Sequence, residues 1–141
     1  MRITTKGRYA LRAILALAEL SKNKEMVSIN QLSEAEDISS VFLEQIFFKL
    51  KKAGIIKSVR GPGGGFSFDR QLELINIREI FDAAGEELTV IPCDRSETEC
   101  DRKSECISHQ VIVEITRIVN DYLGKLTLKE VLESPKYRPH A

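Results

Sequence analysis

Residues 61–65 read Gly-Pro-Gly-Gly-Gly, and this run constrains the fold more than any other feature of the chain. Proline fixes its own φ and offers no N–H, while the glycines around it leave the backbone too free for regular structure. The chain must turn there. The flanking residues 55–59 and 66–68 are short runs of β type, so the segment "IIKSVRGPGGGFSF" reads as an antiparallel hairpin. It is not a nucleotide phosphate cradle: no Lys-Ser/Thr follows, and the turn joins two strands rather than a strand to a helix.

Three helical patterns precede the hairpin. Over 6–20, Leu11, Ile14, Leu15 and Ala18 recur at helical spacing, with Leu17 and Leu20 broadening the stripe. Ser28 and Gln31 have the capping-box spacing of a second, short helix that turns Ile29, Leu32 and Ala35 inward. A third helix starts after Ser39 or Ser40, stops at Gly54, and buries Leu43, Ile46, Phe47 and Leu50. Its opposite face then carries Val41, Glu44, Gln45, Phe48, Lys49 and Lys52. Helix, turn, helix and hairpin is the order of a winged helix-turn-helix.

Asn76 and Glu79 repeat the capping-box spacing for a fourth helix ending at Gly85. A fifth is expected over 104–123, stopped by Gly124, and Thr127 with Glu130 caps a last short helix before Pro135. The expected architecture is mainly α with a small β-hairpin wing. A winged helix-turn-helix domain covers 1–85 and a cysteine-rich loop 86–109. A long dimerisation helix and a final short helix fill 104–134, and 135–141 is a loose tail.

Net charge is zero overall but not locally. Residues 1–70 hold 12 Lys+Arg against 7 Asp+Glu, a net of +5, and 71–141 hold 9 against 14, a net of −5. Only the first half suits an anionic partner. A helix presented in a helix-turn-helix fits the DNA major groove. Glu44 can accept from the cytosine amine and Gln45 can pair with adenine. Ser39 and Ser40, at the helix start, suit phosphate contacts, while Lys49, Lys51 and Lys52 add positive field. Arg60 enters the glycine turn with little bulk beside it, which suits insertion into a narrow minor groove.

The chain's three cysteines fall between 93 and 109 in the pattern C-x6-C-x5-C-x2-H: Cys93, Cys100, Cys106 and His109. An odd cysteine count speaks against a secreted disulfide scaffold and for a reducing compartment. Clustered thiolates there are ready metal ligands. Three fates compete. Zinc accepts Cys3His, although its usual C-x2–4-C knuckle is missing. A dithiol redox switch needs two cysteines and leaves His109 unused. An iron–sulfur cluster takes thiolates and tolerates a histidine.

Downstream, Val111, Ile112, Ile115, Ile118, Val119, Tyr122 and Leu123 alternate spacings of three and four. Such a stripe on a single helix also suits intramolecular core, but with so few other elements in this half Ile112, Ile115, Ile118, Val119 and Tyr122 are the expected contacts of a two-fold helix pair.

"MRITTKGRYALRA", "LEQIFFKLKKAGIIKSVRGPGGGF" and "TLKEVL" together resemble the Rrf2 family of bacterial winged-helix transcription regulators, its iron–sulfur cluster regulators most of all. The likeness runs through nearly the whole chain, and "LEQ" with "RGPGGG" is a specific combination. The resemblance implies a homodimer that binds a partly palindromic DNA duplex and supports the same roles for Glu44, Gln45 and Arg60. It also implies a [2Fe–2S] cluster on Cys93, Cys100, Cys106 and His109 that modulates DNA affinity or specificity.

Two positions depart from that branch: Val41 stands where it has a serine, and Phe48 where it has a small polar residue. The gap between the first two cysteines is one residue longer than usual, an insertion that a loop absorbs cheaply. Nitric-oxide-sensing members use a [4Fe–4S] cluster and an aspartate where this chain has Arg8, and regulators of cysteine metabolism lack the cysteine triad.

Other classes fit less well. A ferredoxin-like electron carrier would not need the winged half, the charge split or Arg60. No nucleophile–base pairing signals an enzyme. Arg12 and Glu19 interrupt the first apolar run, so it is no signal peptide, and no run approaches the ~18 apolar residues of a membrane span. The expected location is the cytoplasm.

Overall fold

The structure, a computed structural model, describes residues 2–88, 100–102 and 104–139. Its helices are α1 (Thr5–Leu20), α2 (Ile29–Glu36), α3 (Ser40–Lys52), α4 (Ile77–Ala83), α5 (Ile107–Lys125) and α6 (Leu128–Glu133). Strands β1 (Ile56–Val59) and β2 (Gly65–Phe68) lie between α3 and α4, and 3-10 turns form at Leu72–Leu74 and Pro135–Tyr137. No helix among the described residues is long and apolar enough to cross a membrane.

One apolar cluster joins α1 to α4 and the last helix. In α3 the four expected positions, Leu43, Ile46, Phe47 and Leu50, are all buried. Around α1 the buried face is rotated from the expected one. Ala10, Ala13, Ile14 and Leu17 are fully enclosed while Leu11, Leu15 and Leu20 are half-buried. The small alanines let α2 and α4 approach closely, which a count of large apolar residues does not anticipate. On α2, Leu32 is buried as expected, but Ala35 lies exposed at a groove rim.

The angle between α2 and α3 is held by local chemistry. Asp37 adopts the left-handed region at φ 52° and ends α2, and Ser33 Oγ donates to the Ile38 carbonyl at 2.6 Å. From α1, Arg12 pairs with the Glu36 carboxylate at 3.1 Å and donates to the Glu36 carbonyl. Its guanidinium lies over the Tyr9 ring, which meets Phe42 edge-on at 5.4 Å.

The hairpin forms in the expected place, with register Ile56↔Phe68 to Val59↔Gly65. Val27 extends it, exchanging two backbone bonds with Phe66 at 3.0 and 2.8 Å. That approach demands glycine at 65, where φ is +148° and a Cβ would stand 2.5 Å from the Val27 carbonyl oxygen. Phe66 packs edge-on against Phe47 at 4.9 Å, so the wing is tied to the core beneath α3.

Both capping boxes form, Ser28 with Gln31 and Asn76 with Glu79. The C-terminal third departs most from expectation. Gly124 does not stop α5, which starts after Cys106 and continues to Lys125. The stop comes at Leu126 because the backbone there turns to another partner. The Ile77 N–H donates to the Leu126 carbonyl at 2.9 Å, and the Leu128 N–H to that of Ile75 at 2.8 Å. Leu126 and Leu128 are buried in the same cluster as α1 and α3, so α6 packs as part of the N-terminal body.

The expected loose tail is instead tied down around Tyr137. Pro135–Tyr137 is a 3-10 turn, Tyr137 is half-buried against the core, and its hydroxyl meets that of Tyr122 at 2.8 Å. Lone apolar and aromatic residues in a proline-rich end carry no period, so pattern reading misses such docking.

Candidate nucleic-acid interface and cysteine segment

The exposed face of α3 begins at a built helix start. Ser39, not Ser40, is the N-cap: its Oγ accepts from the Phe42 N–H at 3.2 Å. Ser40 is the first helical residue and is half-buried. The orphan N–H groups and dipole of such a start favour an anion. Glu44, Gln45, Lys49 and Lys52 are all exposed. Lys49, Lys51 and Lys52 crowd the last turn, where they also offset the negative end of the helix. Val41, Glu44, Gln45, Phe48 and Lys49 line one shallow, open concavity of about 570 Å³.

At the wing tip Arg60 is exposed and makes no ion pair among the described residues. Gly61 and Gly63 have φ of +95° and +74°, and the Gly64 N–H donates to the Gly61 carbonyl at 2.9 Å, closing a tight turn beside Arg60. The expected DNA-contact residues thus occupy two exposed surfaces, the outer face of α3 and the wing tip.

Cys93 lies outside the described residues. Cys100 is exposed, and Cys106 is the N-cap of α5, its Sγ accepting from the His109 N–H at 3.4 Å. That backbone bond, with the Ser108 hydroxyl 3.7 Å from the sulfur, holds the Cys106 thiol below its ordinary pKa. The same contacts favour the thiolate over the thiol, and the thiolate is the form that binds metal. His109, one turn in, is 7% exposed. No group of three or more His, Cys, Asp or Glu side chains is gathered as a metal site among the described residues. The donor chemistry of Cys106 suits a soft metal centre.

The apolar stripe of α5 divides into two faces. Ile112, Val119 and Leu123 are half-buried on the side where Asn120 Nδ2 donates to the Leu88 carbonyl at 3.2 Å. Val111, Ile115, Ile118 and Tyr122 face outward, with Ile107 81% exposed at the helix start. Of the expected dimer contacts, Ile115, Ile118 and Tyr122 are exposed, while Ile112 and Val119 are half-buried.

Pattern reading missed Glu86. This buried carboxylate accepts from the Thr4 N–H at 2.9 Å and from Thr4 Oγ1 at 2.5 Å. It thereby caps α1 from 82 residues away, since Thr4 makes no cap bond with its own side chain. A Cβ on Gly7 would overlap Glu86 Oε2. A glycine inside an otherwise strong helix pattern was the one available signal of close approach. With Leu88 also buried, the expected loop over 86–109 is anchored to the body at its start.

Comparison with known proteins follows the same lines. Residues 3–134 match the Rrf2 family, described as an iron-dependent transcriptional regulator. A protein of Neisseria meningitidis serogroup A, provisionally named an HTH-type transcriptional regulator, is 39% identical over 133 residues, covering 94% of this chain and 88% of that one. The HTH-type transcriptional regulator IscR of Vibrio vulnificus is 36% identical over 132 residues, covering 94% and 77%. Among solved structures, CymR, the global cysteine regulator of B. subtilis, superposes with a TM-score of 0.75 at 25% identity, covering 99% of each chain.

Proposed function

Because this chain belongs to the Rrf2 family of DNA-binding transcriptional regulators, we propose that it acts as a homodimer whose hold on DNA follows the state of a [2Fe–2S] cluster. The family consists of regulators, and the chain is not an enzyme. Glu44 and Gln45 read base edges in the major groove, Ser39, Ser40, Lys49 and Lys52 contact phosphate, and Arg60 enters the adjacent minor groove. Two copies related by a two-fold axis then face a partly palindromic site.

Cys93, Cys100 and Cys106 would hold the cluster, with His109 as the fourth ligand. When bound, such a cluster supplies a redox-active centre sensitive to oxidants and to iron supply. The Cys106 thiol, lowered in pKa by the His109 N–H, would bind it as thiolate.

One observation carries the regulatory reading. Cys106 caps α5, which packs on α4, and α4 touches both α1 and α3. The helix that begins at a candidate ligand also bears the outward face of Ile115, Ile118 and Tyr122. Ordering its start would shift the helix that sets the spacing of two DNA-reading bodies.

The test begins with anaerobic purification, a visible absorption spectrum, and iron, sulfide and zinc per chain. Charge-transfer bands with about two irons and two sulfides are expected. A colourless protein that stays free of iron after reconstitution would leave a DNA-binding regulator working through zinc or a thiol switch. With the cluster present, wild type and Cys106→Ala should differ roughly 5- to 150-fold on at least one DNA site at matched salt, the range of ordinary allosteric coupling. Equal affinities on every site would sink the sensing role.

A further inference from the structure

We infer that Val41 and Phe48 read thymine methyl groups in the major groove and so set which operators this protein selects. The inference rests on the DNA-binding reading of α3. Val41 is 65% exposed and Phe48 68%, the two highest values among the described large apolar residues after Ile107. Single exposed apolar residues are ordinary. These two are not isolated: they share one face with Glu44 and Gln45 at i, i+3, i+4 and i+7, and all four line the same concavity.

The surroundings indicate what fills that concavity. Lys49, Lys51 and Lys52 lie at one end of the helix, Ser39 caps the other, and Arg60 stands on the wing. An anionic lipid or acidic protein surface would also attract those cations, but it has no partner for Glu44, which lies exposed between the two apolar residues. DNA uses all three. Its major-groove edges present donors and acceptors plus one apolar group, the thymine C5-methyl, which apolar side chains contact. Glu44 and Gln45 answer the polar code between two apolar readers. Seven residues of helix span about 10 Å, which is roughly three base-pair steps. The two methyl-reading positions in each half-site should therefore lie about three base pairs apart.

The experiment uses the full chain, purified anaerobically, first to select binding sites from a random duplex pool. Each thymine of the selected half-site is then replaced by deoxyuridine, which removes only the methyl. Wild type should lose about fourfold in affinity at two positions, the worth of one buried methyl group. Val41→Ser should become indifferent to the substitution at one position and Phe48→Ser at the other, each keeping the penalty at the site it does not touch. Both side chains are exposed, and matched thermal unfolding confirms that the variants fold.

If wild type binds its selected site but ignores every deoxyuridine, or if both penalties persist in both variants, the inference is overturned and the DNA-binding reading stands. If wild type enriches no sequence and binds no duplex in either cluster state, both fall together.

Discussion

The body formed by α1 to α4 with the wing, and the arm formed by α5, treat their apolar residues in opposite ways. In α3 every large aliphatic of the inward stripe is enclosed, and Phe47 is fully buried against Phe66. Along the first half of α5, Ile107, Val111 and Ile115 stand open, and the buried side chain is that of His109. The body encloses its inward stripes within the described chain and leaves Val41 and Phe48 on the outer face of α3. The arm leaves its apolar stripe open along the described chain, the face that the proposed homodimer would cover.

The sharpest way to break this contrast is to empty the body. Phe47→Ala should cost about 3–5 kcal/mol in urea unfolding, because Phe66 and the helices around it cannot collapse into the space. A loss under about 1 kcal/mol would mean the body is packed as loosely as the arm. Next in size is the arm itself. Ile118→Asp should weaken self-association in sedimentation velocity by about 2 kcal/mol or more, as expected at an interface centre. The folded chain should change by no more than about 0.5 kcal/mol, because Ile118 is half exposed. Unchanged self-association by a folded variant would move this face out of the interface.

Two smaller effects probe the seams. Glu86→Ala should cost about 1–3 kcal/mol by leaving the Thr4 donors at the α1 start without their acceptor. Hydrogen exchange should rise in the first turn of α1 and not in α5. Ser39→Ala should cost about 1 kcal/mol through loss of the α3 cap, and it should weaken DNA binding by removing a phosphate contact. If stability falls and DNA affinity does not, Ser39 is a cap and nothing more.

Much of the body was legible in the chain because its signals are local. A capping box needs two residues three apart, the inward stripe of α3 needs one helix period, and the hairpin needs a glycine run. The candidate DNA-contact residues were legible for the same reason, since a strong inward stripe assigns the opposite face by subtraction. The Cys106–His109 pair was visible as spacing, but the capping role of the Cys106 thiol depends on where α5 begins, two or three residues later than its pattern indicated.

By itself the sequence determined the helix-turn-helix order, the wing, both capping boxes and the placement of charge, all set by neighbours within a turn or two. Only the tertiary structure decided which side of α1 is enclosed, that Glu86 caps that helix, that α5 ends at Leu126, and that α6 and Tyr137 return to the body. Each of these is a meeting of residues far apart in the chain. Such contacts leave no period in the sequence, because their geometry exists only after the helices have packed.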